Sequence, residues 1–222
     1  MIRIFFKSIF LIISLFSSLF GIAQLPAFSD EIKAFKFKDS ISAPPKNAIL
    51  FVGSSSFRKW TDVQSYFPNF IIINRGFGGS TLPDVIRYAN DIIFPYQPKQ
   101  IVIYCGENDF EAADSPTAET VFNRFKQLFE LIRKKMPDEN IVYVSMKPSP
   151  SRAQKMYKEE EANKLIKNFL STQKNASFVD VYHKMLDASG SPIKEIFLED
   201  SLHMNAKGYA IWQKAIEPYL MK

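Results

Sequence analysis

Five short apolar runs, at 49–52, 70–74, 100–104, 141–145 and 177–181, alternate with longer amphipathic stretches. That alternation constrains the fold more than any other feature. Each run is rich in Ile, Val, Phe or Tyr, and the near-continuous apolarity is that of strands covered on both faces. Between them the apolar residues recur at helical spacing. The stretch 82–94 places Leu82, Val85, Ile86, Ala89 and Ile93 on one side, with Thr81 as its cap and Pro83 and Asp84 in its first turn. The stretch 117–136 carries Val121, Phe125, Leu128, Phe129 and Ile132 and stops before Pro137. A third helix over 153–172 buries Leu165, Ile166, Phe169 and Leu170. A last one over 206–220 starts behind Asn205 and buries Tyr209, Trp212, Ile216 and Leu220. Strand and helix in alternation predict an α/β fold, a three-layer α/β/α sandwich on a five-stranded parallel sheet with right-handed crossovers. In such sheets ligands bind beyond the carboxyl ends of the strands.

The 222 residues are 46% hydrophobic and 23% charged, which is enough to pack a core in a single domain. Residues 1–23 stand apart. Arg3 and Lys7 precede an apolar run from Ile9 to Ile22, and Gly21-Ile22-Ala23 ends it in small residues, the pattern of a cleaved signal peptide. The competing reading is a retained membrane anchor, but the run is short for a span and holds Ser14, Ser17 and Ser18. Export to the periplasm or medium is therefore expected. Without those residues the chain has 26 basic and 23 acidic side chains, a net charge of +3. Residues 24–46 read as a polar lead-in segment and 47–222 as the domain proper. Charges of both signs interleave, and no basic stripe with aromatics supports nucleic-acid binding. Cys105 has no disulfide partner and reads as a small buried filler at a strand end.

Four segments at strand ends carry residues suited to acyl transfer. A serine hydroxyl attacks a carbonyl only when a base takes its proton, a third group holds that base, and donors meet the oxyanion. Ser55, in Gly53-Ser54-Ser55-Ser56 after the first run, is the candidate nucleophile, with its own N–H aimed at the developing charge. Taken alone, such a serine run more often caps a helix. His203 is the candidate base, with Asp200 three residues earlier to hold its Nδ1–H. The other histidine, His183, stands in a Tyr-His-Lys stretch read as having no acid beside it and is expected at the surface. Gly79 and Asn108 are the candidate oxyanion donors, through a backbone N–H and a side-chain amide. Competing glycine motifs fail. A dinucleotide fingerprint from Gly76 needs glycine where Thr81 stands, and a P-loop from Gly53 needs glycine where Arg58 stands. No His/Cys spacing suggests a metal, and the reading calls for no cofactor.

Together these segments resemble the SGNH (GDSL-type) hydrolase family. Gly53-Ser54-Ser55 is similar to its G-D-S block, Gly76-Phe77-Gly78-Gly79 to its glycine block, Gly106-Glu107-Asn108-Asp109 to G-x-N-D, and Asp200-Ser201-Leu202-His203 to D-x-x-H. Met204-Asn205-Ala206-Lys207-Gly208-Tyr209 resembles the start of the family's closing helix. Ser54 departs from the family's aspartate, which is no triad member, so local hydrogen bonding around Ser55 must differ. Ser56-Phe57-Arg58-Lys59-Trp60 and Met146-Lys147-Pro148-Ser149-Pro150-Ser151-Arg152 resemble a subgroup with a G-S-S-S block. Lys147 and Arg152 have no role in this reading beyond surface charge flanking prolines or a substrate-facing loop. The resemblance implies a flavodoxin-like fold, a triad of Ser55, His203 and Asp200, an oxyanion hole of Ser55, Gly79 and Asn108, and ester hydrolysis through an acyl-serine. The expected substrate is a short-chain or acetyl ester, small or carbohydrate-linked. Lysophospholipid hydrolysis, sugar O-acyl transfer and a catalytically dead binding module remain open beside it. The membrane enters as a partner only through an uncleaved signal segment.

Overall fold

Strands β1 (Ile49–Gly53), β2 (Ile72–Gly76), β3 (Gln100–Tyr104), β4 (Asn140–Val144) and β5 (Ala176–Val179) form one sheet in the order β2-β1-β3-β4-β5. Every pairing is parallel, with Ile49 opposite both Ile72 and Gln100. The computed structural model describes residues 26–112 and 115–222, so the segment read as a signal peptide lies outside the described residues. Among the described residues no helix is long and apolar enough to cross a membrane.

Period-two alternation along the strands sends side chains to two cores. Leu50, Val52, Ile101, Ile103, Ile141 and Tyr143 face one side. There they meet helices α1 (Ser29–Ile41), α4 (Leu82–Arg87), α5 (Ala89–Ile92), α6 (Ala118–Lys135) and α7 (Met156–Leu170) through residues such as Val85, Phe125 and Ile166. Ile49, Phe51, Val102, Tyr104, Val142 and Val144 face the other side, against α2 (Ser55–Lys59), α3 (Val63–Tyr66) and α8 (Ala206–Ile216). That second core is aromatic. Trp60 stacks on Tyr209 with centroids 4.7 Å apart, and Trp212 meets Tyr104 edge-on at 4.6 Å. Both indoles are fully buried, and each contributes on the order of 3–5 kcal/mol against truncation to alanine. This is the three-layer α/β/α sandwich that the alternation predicts.

Several boundaries differ from the sequence reading for identifiable reasons. Strand β2 starts two residues late. The Gln64 side chain donates to the carbonyls of Phe67 and Phe70 and accepts from Ile72 N–H, so 70–71 close a turn instead. The helix expected over 82–94 breaks at Tyr88 (φ −98°, ψ 9°). The Tyr88 ring packs edge-on to Phe77, and its hydroxyl donates to Ala27 O at 2.7 Å. The helix expected over 153–172 begins as a 3₁₀ segment, Pro150–Lys155, and becomes α-helical only at Met156. The lead-in segment contains α1, which has little amphipathic signal and was not expected as a helix.

Where β1 ends, the backbone approaches β3 so closely that a Cβ on Gly53 would lie 1.8 Å from Tyr104 O. With φ at +142°, this position accepts glycine alone. The contact turns the chain sharply out of the sheet, and Ser54 N–H donates to Tyr104 O at 2.9 Å. The next residue, Ser55, is thereby set on the carboxyl edge of the sheet.

Candidate active site

Ser55 opens α2, and its Oγ lies 2.9 Å from His203 Nε2, a contact that spans 148 residues of chain. The opposite ring nitrogen, Nδ1, is 2.6 Å from Asp200 Oδ2. The loop that makes this pair is fixed locally. Asp200 Oδ1 accepts from the N–H groups of Leu202 (3.0 Å) and His203 (2.8 Å), with Ser201 held at φ +54°. Burial alone would raise the Asp200 pKa, but the bonds from the His203 ring and from these two amides outweigh it. The carboxyl is held well below the usual carboxylate range and stays ionised at neutral pH. An ionised acceptor on Nδ1 fixes the tautomer in which Nε2 is free to take a proton from Ser55.

The two halves of this arrangement are tied together from behind. Tyr209 in α8 donates its hydroxyl to Ser56 O at 2.8 Å, and Asn205 caps α8 by accepting from Lys207 N–H at 2.9 Å. The Asn205 amide also donates to the carbonyls of Glu195 and Phe197, which lead into the histidine loop.

The candidate oxyanion donors lie nearby, with Asn108 lining the same cleft as Ser55. Among the described residues, neither Ser55 N–H nor Gly79 N–H donates to a protein acceptor. Asn108 Nδ2 donates to Ser80 O at 3.1 Å, leaving its second hydrogen unused. A Cβ on Gly79 would stand 3.8 Å from Asn108 Nδ2, so the missing side chain keeps open the space before the amide. Asp109, fully buried, accepts from Leu82 N–H and pairs with Arg124, tying α6 and the start of α4 to the Asn108 turn. This set can abstract a serine proton, hold the resulting imidazolium and stabilise an oxyanion.

Lys147 and Arg152 are not surface charges. Lys147 is 1% exposed and donates to both oxygens of Glu107, at 3.1 and 3.0 Å. Arg152 reaches Glu107 Oε1 at 2.9 Å and Asn108 Oδ1 at 3.0 Å. The Tyr104 hydroxyl completes the shell around Glu107. Burial pushes the Glu107 pKa up, but the two cations pull it further down, so this carboxyl is ionised. Glu159 on α7, buried with both oxygens unpartnered among the described residues, has its pKa pushed well above the usual range by burial and by the Glu107 charge. Sequence reasoning missed this network. Its only sequence signal is Glu107 within Gly-Glu-Asn-Asp together with two cations in one proline-rich loop.

It also missed the contribution of α1. Glu31 accepts from Gly78 N–H at 3.1 Å and pairs with Arg58 at 2.8 Å, so α1 braces the glycine loop against α2. His183 departs from its reading too. It does have an acid partner, Asp180, at 2.7 Å through Nδ1, which the sequence reading overlooked three residues upstream. It is exposed as expected and borders a separate cleft with Phe178, Tyr182 and Lys167. Ser145 lines that cleft as well, but its Oγ accepts from Val181 and Tyr182 N–H and makes no bond to His183. Two Asp-x-x-His pairs thus share one local geometry, and only His203 meets a free serine hydroxyl. Cys105 is buried as expected, and burial raises its thiol pKa well above the ordinary value, which makes it inert. Among the described residues no three His, Cys, Asp or Glu side chains are grouped to hold a metal ion.

Comparison with known proteins agrees with this architecture. The chain is 24% identical to platelet-activating factor acetylhydrolase IB subunit alpha1 of Rattus norvegicus over 179 residues, covering 78% of this chain and 75% of the relative. A GDSL-like lipase from Bacteroides thetaiotaomicron superposes with a TM-score of 0.68 at 19% identity, covering 85% of this chain and 96% of that one. A carbohydrate esterase family 3 protein from Talaromyces cellulolyticus gives 0.60 at 14% identity, covering 77% and 94%. The sequence profile of the GDSL-like lipase/acylhydrolase family matches residues 39–211, and the chain belongs to that family.

Proposed function

We propose that this protein is an exported serine esterase that hydrolyses acetyl or other short-chain carboxylic esters, small or carbohydrate-linked, through an acyl-serine intermediate. The observation that carries this reading is the unbroken hydrogen-bonded chain Ser55–His203–Asp200, with Asn108 lining the same cleft as Ser55. His203 Nε2 takes the Ser55 proton as Oγ attacks the ester carbonyl. The oxyanion is received by the N–H groups of Ser55 and Gly79 and by Asn108 Nδ2. Each such donor is worth about 100- to 1,000-fold in rate. His203 then protonates the departing alcohol, and a water activated by the same imidazole releases the acid and restores Ser55. Every proton moves through side chains of this chain, and no cofactor is called for.

The cleft at the nucleophile is lined by Ser54, Ser55, Ser56, Glu107, Asn108, Lys147, Arg152 and Leu202. Leu202 is the one apolar side chain among them, whereas sites for larger apolar ligands are mostly apolar. So polar a lining suits an acetyl group and disfavours a fatty acyl chain. The acetylhydrolase name of the mammalian relative supports the same reading, and the basic-apolar-small order of residues 1–23 supports export.

The test is a chain-length series of p-nitrophenyl esters. kcat/KM is expected to be highest for acetate and to fall by about 10-fold or more by octanoate, since a methylene group misplaced in a pocket costs ~1–3 kcal/mol. A rate that holds or rises at octanoate would favour the lysophospholipase alternative.

A further inference from the structure

Arg152 takes no part in the proton-transfer chain, yet it grips the one side-chain amide turned toward the oxyanion. We infer that Arg152, clamped by Glu107, is a positioning residue that fixes and polarises the Asn108 amide for ester hydrolysis. The inference rests on the esterase reading above and assigns it one more working part.

An asparagine amide can sit either way round, and its neighbours decide which way. Here Oδ1 accepts from Arg152 Nη2 at 3.0 Å while Nδ2 donates to Ser80 O at 3.1 Å. Turning the amide over would set its NH₂ against guanidinium donors and its oxygen against a carbonyl oxygen. Both contacts would then be lost and replaced by repulsions. The guanidinium and the Ser80 carbonyl therefore impose the orientation that presents an N–H, and not an oxygen, to the substrate. A cation on Oδ1 also draws electron density from the amide, which makes the remaining N–H a stronger donor to a negative oxygen.

Arg152 is itself held rigidly. Its backbone leaves helical geometry at φ −118°, ψ 23° inside the 3₁₀ segment. Nη1 is fixed on Glu107 Oε1 at 2.9 Å, and Nε lies 3.5 Å from Glu111 Oε1. Glu107 is anchored in turn by Lys147 and by the Tyr104 hydroxyl from the edge of the sheet. Glu107 immediately precedes Asn108, so one buried carboxylate sets both the backbone that carries the amide and the cation that orients it. This accounts for charged residues at positions where an apolar trio would pack at lower desolvation cost.

A merely structural Arg152 would weaken the fold without acting through Asn108, and a double-mutant cycle separates the two. The measurement is kcat and KM on p-nitrophenyl acetate, with the rate of Ser55 labelling by a fluorophosphonate, for wild type, R152M, R152K, N108A and R152M/N108A, each checked by thermal melting. R152M is expected to lower kcat about 10- to 100-fold with KM within about 3-fold, and R152K to recover part of that loss. In the N108A background, R152M is expected to cost less than about 3-fold, because the amide through which it acts is gone. Labelling rates should follow kcat. Should R152M not fold, R152K makes the same cycle with N108A, since an ammonium lacks the planar fork by which the guanidinium reaches Glu107 and Asn108 together. An unchanged kcat in R152M, or the full loss retained in the N108A background, overturns the positioning role while leaving the esterase intact. A wild type that neither turns over the ester nor is labelled at Ser55 overturns the esterase reading itself, and this inference with it.

Discussion

Replacing Ser55 by alanine is expected to lower kcat on a short-chain ester by about 10⁴- to 10⁶-fold while leaving the fold in place. The Ser55 hydroxyl makes one side-chain bond, to His203 Nε2, and removing it strands no buried polar group. Asp200 and the loop amides still hold the imidazole, and Tyr209 still ties α8 to Ser56 O. The residual rate comes from the three oxyanion donors, which remain, and is about 10³- to 10⁴-fold above water. Because nucleophile and base act as a unit, S55A/H203A should be no slower than S55A alone. Ser54 and Ser56, buried on either side, do not substitute for Ser55, because neither hydroxyl reaches His203 among the described residues. Steady-state kinetics with circular dichroism checks this. Activity within 10-fold of wild type for a folded S55A would remove Ser55 from the mechanism.

The second large effect is on stability. Glu107→Leu is expected to destabilise the protein by about 3–5 kcal/mol, because it removes the carboxylate with which the buried Lys147 ammonium is paired. Lys147 is 1% exposed and both of its side-chain hydrogen bonds go to Glu107, so the variant removes both. The Glu107 pKa lies below its ordinary value in the folded state, so its contribution is present above the unfolded pKa and is lost as pH falls through the folded one. For a chain of this length each kcal/mol lowers Tm by roughly 2–4 °C, so a fall on the order of 6–20 °C is expected at neutral pH. Calorimetry reads it directly. A Tm within 2 °C of wild type would mean that the network contributes no net stability. The variant also loses the clamp on Arg152, so its rate should fall together with its stability.

The sheet and the positions of the Ser55, Gly79 and Asn108 segments just beyond β1, β2 and β3 were legible in the sequence for one physical reason. Buried parallel strands must be apolar throughout, and the turns at their carboxyl ends must be small and polar, so strand and segment are written side by side. Asp200–His203 departs from the expected strand-end placement, since it lies 21 residues beyond Val179, the last residue of β5, and its signal is the D-x-x-H spacing alone. Gln100–Tyr104 emerges with the predicted bounds, and Thr81 and Asn205 stand at the N-caps of their helices as expected. The parts that were not legible depend on contacts distant in sequence. Tyr88 breaks a periodic helix because its hydroxyl finds Ala27 O, 61 residues away. Lys147 and Arg152 read as surface charges because nothing nearby in the chain shows that Glu107, 40 and 45 residues upstream, is buried beside them. Helix α1 hides in a weakly amphipathic segment, since its part in the site is a single Glu31 side chain holding Gly78 and Arg58. His183 carries the opposite lesson. Its pairing with Asp180 is local and was readable, and it copies the geometry of Asp200–His203 without meeting a serine free to react. A local motif identifies a base only once the fold delivers its nucleophile.

The account depends on Ser55 being the one nucleophile that His203 activates. Mass spectrometry of the intact protein after reaction with a fluorophosphonate, followed by peptide mapping, tests that most directly. A single adduct on Ser55, lost in S55A and slowed about 100-fold or more in H203A, is the predicted result. An adduct on Ser54, Ser56 or Ser145, or labelling of Ser55 that is indifferent to His203, would contradict it.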